Sequence, residues 1–304
     1  MEEFYSPRIA IENIFQKNLI GIDIDTRAKQ LATFALLMKA ASKDKTFLDA
    51  KVMPRVFDMP APFVYPCPAE EFFSQYGISG ETAIKECVDA FELLRQANNL
   101  GSIMKFNISE QTRFTIAKQT TEWGTKEYVP EAIKAAIPSM KMILALTDKY
   151  TAVVANPPYM GSSNMNTFLN QYVQEKYSLG KSDLFSVFML LGFSLSIPKG
   201  RVGMITMQSW MFLLVFKSIR EEILNNMNIE SLLHLGPHTF DELSGAVVQN
   251  VAFIISIDSP HKQTLFYRLV NGQNCSDKER LFLEEECVFK DKSQSDFSEM
   301  LYQT

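Results

Sequence analysis

Apolar positions along this chain follow two rhythms, and the change from one to the other marks the elements. Residues 18–24 (NLIGIDI) form a short apolar run that predicts a buried strand. A helix is predicted over 26–41, where Leu31, Phe34, Ala35 and Met38 recur at the spacing of one helical face and Thr26 stands at the N-cap. A second strand is predicted over 52–59, bounded by Pro54 and Pro60. From 61 to 149 the rhythm changes. Prolines cluster at 60, 62, 66 and 68, helical segments fall near 69–76, 80–97 and 130–146, and the polar stretch around 107–128 reads as loops. This region is expected to be a mostly helical insertion. Strand and helix then alternate again. Residues 151–155 (TAVVA) are continuously apolar, as in a strand covered on both faces. A helix over 182–197 places Leu184, Val187, Phe188, Leu191 and Leu195 on one side, and Pro198, Lys199 and Gly200 make a turn. Residues 201–207 are a predicted strand, 212–225 largely helical, and 229–235 and 246–257 two more strands. Such alternation predicts an α/β fold with a mainly parallel sheet. Residues 1–60 and 150–260 are expected to form one domain, interrupted by the helical insertion 61–149. The charged stretch 261–304 opens a further region.

Composition narrows the picture in two ways. The chain has 304 residues and a net charge of -5, so any binding to nucleic acid must come from a local basic face rather than from bulk charge. Cys67, Cys87, Cys275 and Cys287 form no CxxC pair, which implies neither a zinc site nor a disulfide framework and fits a reducing, cytoplasmic setting. The acidic start MEEFYSPRIA has no apolar core of a signal peptide. The longest apolar stretch, 184–197, contains three serines and is too short to span a bilayer.

Candidate chemistry concentrates in Asn156-Pro157-Pro158-Tyr159, directly after the apolar strand. In open α/β sheets ligands bind beyond the carboxyl ends of strands. Two prolines stiffen this bend and remove two backbone donors, so its carbonyls can face a substrate. Asn156 Oδ1 and the Pro157 carbonyl are two acceptors for the hydrogens of an amino group. Tyr159 adds a flat ring for stacking. The set suits a planar, amine-bearing substrate whose nitrogen lone pair is aimed at an electrophile, with positioning as the main catalytic device. The second signal is Gly21-Ile22-Asp23-Ile24-Asp25 at the end of the first strand, where a carboxylate accepts hydrogen bonds from ribose hydroxyls. Helix capping competes with that reading, with Asp25 as the cap and Asp23 facing a cofactor.

Taken together, these segments resemble the amino-methyltransferases acting on DNA adenine, in particular the large enzymes of bacterial BREX phage-defence systems (PglX-type) and type IIG restriction–modification enzymes. The likeness rests on GIDIDTRAKQLATFALLMKA, VVANPPYMG, KSDLFSVFM, GRVGMITMQSWMF, and IESLLHLG followed by GAVVQNVAFII. It implies a Rossmann-like methyltransferase fold using S-adenosyl-L-methionine and double-stranded DNA. By resemblance, Asp23 binds the cofactor ribose, Ile24 packs on its adenine, and Asn156 lies between cofactor and base. Residues Asn156 to Tyr159 hold the extruded adenine, with Tyr159 stacking on it. Phe216 stands where the family places a second stacking aromatic; a core position on an amphipathic helix explains it equally well. Lys181, Ser182 and Asp183 open the helix after the loop, either walling the cofactor pocket or simply ending the helix.

The chain departs from the family pattern at its start. The family's first strand and glycine-rich turn, which wraps the methionine part of the cofactor, have no counterpart; Gly21 and Gly101 do not supply it. The resemblance thus implies a fold incomplete at its N-terminus, weak cofactor affinity, sheet edges prone to association, and a missing segment or partner subunit. Asp58 and Asn98 are the candidates for a further adenine contact. Gly180-Lys181-Ser182 lacks the first glycine of a phosphate loop. His234 and His238 read as loop residues rather than a metal pair, and no metal site is expected. Lys181, Lys199, Arg201, Lys217 and Arg220 are candidates for phosphate contacts. Two other functions fit parts of the pattern: methylation of protein glutamine, and an inactive fragment or split-enzyme subunit.

Overall fold

The computed structural model describes residues 6–240, 248–260, 264–285, 287–289, 293, 294 and 296. It forms two compact units, 1–148 and 149–304. In the first, α1 (Pro7–Asn13) leads into β1 (Ile20–Asp23), then α2 (Thr26–Lys43) and β2 (Arg55–Asp58). β1 and β2 pair in parallel, with Ile20 opposite Arg55 and Asp23 opposite Asp58. The cap of α2 is Asp25 rather than Thr26, and its side chain accepts the Arg27 N–H. The inward face of α2 also differs from the predicted one. Leu36 and Leu37 pack against buried Ala40, Phe15 and Phe47, whereas Leu31, Phe34 and Met38 are 69%, 60% and 55% exposed. Both faces carry apolar residues, so periodicity alone could not choose between them.

The helical region is α3 (Ala69–Tyr76), α4 (Glu81–Leu94), α5 (Ala97–Leu100), α6 (Glu110–Thr125) and α7 (Glu131–Thr147). Its proline-rich entry is anchored by Phe63, whose ring lies 4.9 Å from Phe72 and 5.4 Å from Phe91. The polar stretch expected as loops is the helix α6. Ser109 caps it, and Ile116 and Thr120 bury one face. The threonines that weaken its sequence signature return their hydroxyls to the helix itself, Thr115 to the Gln111 carbonyl and Thr121 to that of Ala117.

The second unit contains β3 (Tyr150–Ala155), α8 (Thr167–Lys176), α9 (Leu184–Leu195), β4 (Ser196–Met207), α10 (Lys217–Asn226), β5 (Asn228–Gly236), β6 (Asn250–Ser256), β7 (Leu265–Arg268), α11 (Cys275–Leu283) and β8 (Val288–Phe289). Its six strands run in the order β3-β4-β6-β5-β7-β8. The sheet is mixed, not mainly parallel: β3–β4 and β5–β7 are parallel, while β6 is antiparallel to both β4 and β5. β7 and β8 extend the sheet into the 261–304 stretch. The predicted turn at 198–200 lies within β4 as a bend, with Lys199 at φ 64°. Residues 246 and 247 of the predicted strand 246–257 lie outside the described residues, as does most of 290–304. Trp210, Phe253, Val251, Ile229 and Ile219 are core residues between the sheet and α9 and α10. Among the described residues no helix is long and apolar enough to cross a membrane.

Candidate active site

β3 is hydrogen-bonded to β4 through Ala155 opposite Met204, and the chain leaves its carboxyl end into the loop 156–159. Residue by residue, that loop alternates between solvent and protein. Asn156 and Pro158 are exposed, Pro157 is buried and Tyr159 is half-buried. Pro157 therefore anchors the bend while the Asn156 amide stays accessible. No hydrogen bond of the Asn156 side chain occurs among the described residues. Tyr159 is held at two points. Its ring meets Phe185 edge-on, with centroids 6.3 Å apart. Its hydroxyl accepts a 2.9 Å hydrogen bond from Asn250 Nδ2 and points at the Ile205 carbonyl, 3.5 Å away. Burial pushes the Tyr159 hydroxyl pKa up, so it remains protonated at neutral pH. Asn250, 1% exposed at the head of β6, is a positioning residue that the sequence reading missed. Its separation of 91 positions from Tyr159 left no local signal.

The far side of the loop is strapped to the start of α9. Asp183 caps that helix, accepting the Phe185 N–H at 3.2 Å, and the same Oδ1 accepts the Met160 N–H at 3.0 Å. Backbone bonds from Leu184 to the Met160 carbonyl (3.0 Å) and from Ser162 to the Ser182 carbonyl (2.9 Å) complete the strap. One carboxylate thus serves as cap and as loop anchor. Burial raises the Asp183 pKa, against the effect of the backbone N–H groups of Phe185 and Met160.

Phe216 is 4% exposed, with its ring 5.3 Å from Phe185. Of the two sequence readings, this is the core position. Phe216 backs Phe185, which in turn backs Tyr159. Arg220, a candidate phosphate contact, is buried and donates to the carbonyls of Trp210 (2.8 Å) and Leu213 (2.6 Å), closing the turn before α10. Arg201 pairs with Glu230 at 2.8 Å and Lys217 with Glu221 at 3.6 Å. His234 lies in β5, not in a loop, and its Nε2 is 2.5 Å from Gln208 Oε1. Burial lowers its pKa, with the cations Arg268 and Lys278 adding to the effect. Among the described residues no three His, Cys, Asp or Glu side chains are grouped to hold a metal.

At the carboxyl end of β1, Asp23 and Ile24 are both exposed. Asp23 Oδ1 accepts the Asp25 N–H at 2.8 Å, and its other oxygen has no hydrogen-bond partner among the described residues. Asp25 is committed locally. It pairs with Arg27 at 2.7 Å, and that contact lowers its pKa to about 2. Asp58, beside Asp23 in register, is bound to Lys29 at 2.6 Å; burial alone would raise its pKa, but Lys29 and neighbouring donors hold it below the usual carboxylate range. Asn98 is exposed on α5. Gly101, at φ 54°, lies against Ile24; a β-carbon there would make an ordinary 3.5 Å contact with Ile24 Cδ1. A carboxylate with a spare oxygen beside an exposed branched side chain fits a ribose diol next to a purine face.

The Eco57I restriction-modification methylase model matches residues 17–240. Adenine-specific methyltransferase BrxX of Escherichia coli O9:H4 (strain HS) is 30% identical over 323 residues, covering 98% of this chain and 27% of that protein. Adenine-specific methyltransferase PglX of Lacticaseibacillus casei (strain Zhang) is 32% identical over 306 residues, covering 92% of this chain and 24% of that protein. The chain thus spans about a quarter of the length of these curated relatives. With the family model spanning most of its length, the chain belongs to the Eco57I restriction-modification methylase family.

Proposed function

We propose that this chain carries catalytic segments of an adenine-specific DNA methyltransferase, acting at the exocyclic amino nitrogen in a phage-defence or restriction–modification system. Segments 1–60 and 150–260 would build the catalytic domain, with 61–149 as its helical insertion. The observation that carries the reading is the accessible Asn156 amide on a bend pinned by buried Pro157 and by Tyr159. Asn156 Oδ1 and the Pro157 carbonyl accept the two amino hydrogens and hold the nitrogen lone pair toward the methyl donor. Tyr159 stacks on the extruded adenine, its ring kept upright by Phe185 and Asn250. Asp23 and Ile24 hold the ribose and adenine of S-adenosyl-L-methionine, which supplies the electrophilic methyl group when bound. Phe216 supports the stack through Phe185 rather than touching the base. Double-stranded DNA is the partner in this reading.

The test is transfer of labelled methyl from S-adenosyl-L-methionine to an adenine-containing duplex, with the chain alone and in the context of a full-length relative. Asn156→Ala in that context is expected to lower kcat by about 100- to 1,000-fold, the effect of removing one pre-aimed polar group, with the fold intact by circular dichroism. Unchanged turnover would sink the reading.

A further inference from the structure

The first unit contains a cavity of about 470 Å³ whose chemistry the methyl-transfer reading does not use. It is lined by the starts of β1 and β2, through Ile20 and Arg55, and by α6 and α7, through Arg113 and Lys141. β1 and β2 run parallel, and Asp23 lies at the opposite end of both. The cavity is therefore separate from the candidate cofactor carboxylate, at the other end of the same small sheet.

Three cations and one carboxylate, Asp148, line it. Arg113 is engaged with Asp148 at 3.3 Å. Arg55 is different. Its Nε is buried without a hydrogen-bond partner, and no ion pair of Arg55 or Lys141 occurs among the described residues. Arg55 also lines the cavity, where a guanidinium fork suits an anionic ligand. Arg55 and Lys141 together present two uncompensated positive charges, in a chain whose net charge is -5. A phosphate monoester carries about the matching charge, roughly -1.5 to -2 at neutral pH, with oxygens that suit a guanidinium fork. The remaining wall includes Met53, Phe57 and Leu144. That apolar side accommodates the organic part of a ligand, and the volume lies in the range of small-molecule sites, about 300–1,000 Å³.

We propose that this cavity binds a small organic phosphate, with Arg55 and Lys141 on the phosphoryl oxygens and the organic body against Met53, Phe57 and Leu144. The site lies outside the proposed methyl-transfer machinery, and its test reads binding alone, so either proposal can fail without the other. Phenyl phosphate is a suitable probe because it does not imitate the methyl donor. Titration calorimetry on the full chain is expected to detect phenyl phosphate, weaker binding of inorganic phosphate, and no binding of phenol. Arg55→Gln should weaken phenyl phosphate by about tenfold or more. Lys141→Gln, on an exposed helix position where folding is not at risk, should weaken it several-fold, and rising salt should weaken it further. Absence of binding, or affinity unchanged in both variants while circular dichroism shows them folded, overturns the proposal. Displacement of phenyl phosphate by a short DNA duplex, with duplex affinity lost in Arg55→Gln, would also overturn it and make the cavity a contact for the DNA backbone.

Discussion

Asp183 carries two tasks with one carboxylate oxygen, and at the scale of single residues this makes it a sensitive position. Removing the acceptor orphans the Met160 and Phe185 N–H groups together. Asp183→Ala is expected to lower stability by about 1–2 kcal/mol and to release the loop that follows Tyr159. Asp183→Asn keeps an acceptor for both donors and should retain the fold. The pH dependence separates the two variants from the parent. Because burial raises the folded-state pKa of Asp183 above its unfolded value, the folded protein holds this proton more tightly. The resulting stabilisation is fully present below the unfolded value and is lost as pH rises through the folded one. Denaturant titrations of the parent and Asp183→Asn should therefore favour Asn progressively as pH rises from 3 toward 7, roughly the window of carboxylate titration. A difference that runs the other way would contradict the burial argument. Tyr159, in contrast, stays neutral across this window and adds no slope.

Between elements, the closest approach that fixes the site is α9 on β4. A β-carbon on Gly192 would fall 2.8 Å from Met204 Cε and 2.9 Å from Val202 Cγ1. The glycine thus lets the helix that carries Asp183 at its head lie directly on the strand beside β3. Gly192→Val should destabilise the chain by about 1–3 kcal/mol through overpacking, read as a lower denaturant midpoint, and an unchanged midpoint would show that the helix can shift freely. Element positions were legible where contiguous apolar runs or helical spacing marked them, although β3, read as covered on both faces, is largely exposed as an end strand. β1, β2, β3, α9 and β5 lie within a few residues of their predicted bounds. α6 was not legible, because its threonines signal loop or strand until their hydroxyls are seen to bond back along the helix. The fully antiparallel setting of β6 was not legible either, since strand direction depends on which neighbours a strand joins.

At the scale of the whole molecule, apolar surface among the described residues remains open in several places, an end strand and one face of α2 among them. β3 is an end strand of its sheet, with Val154 82% exposed. On α2, Leu31, Phe34 and Met38 form an exposed stripe. End strands and contiguous apolar patches promote association. Light scattering on the chain alone is expected to show a mass above that of the monomer, rising with concentration. Val154→Lys, or Leu31→Glu with Phe34→Gln and Met38→Lys, should shift the distribution toward monomer. A parent chain that is monodisperse and monomeric would show that these surfaces are not adhesive.

The linear order of residues was enough to define the α/β character, the acceptor-rich bend at 156–159 and the acidic end of β1. Each of these depends on contiguous residues: proline fixes its own backbone, and a strand's end is marked by its own polar residue. Tertiary structure alone decided which apolar face of α2 turns inward, that Phe216 lies in the core behind Phe185, that Arg220 binds backbone carbonyls rather than solvent-borne phosphate, and that Asn250 holds the Tyr159 hydroxyl. Those outcomes depend on partners distant in sequence. A side chain's burial and hydrogen bonds are set by what packs against it, and that information does not reside in its local neighbourhood.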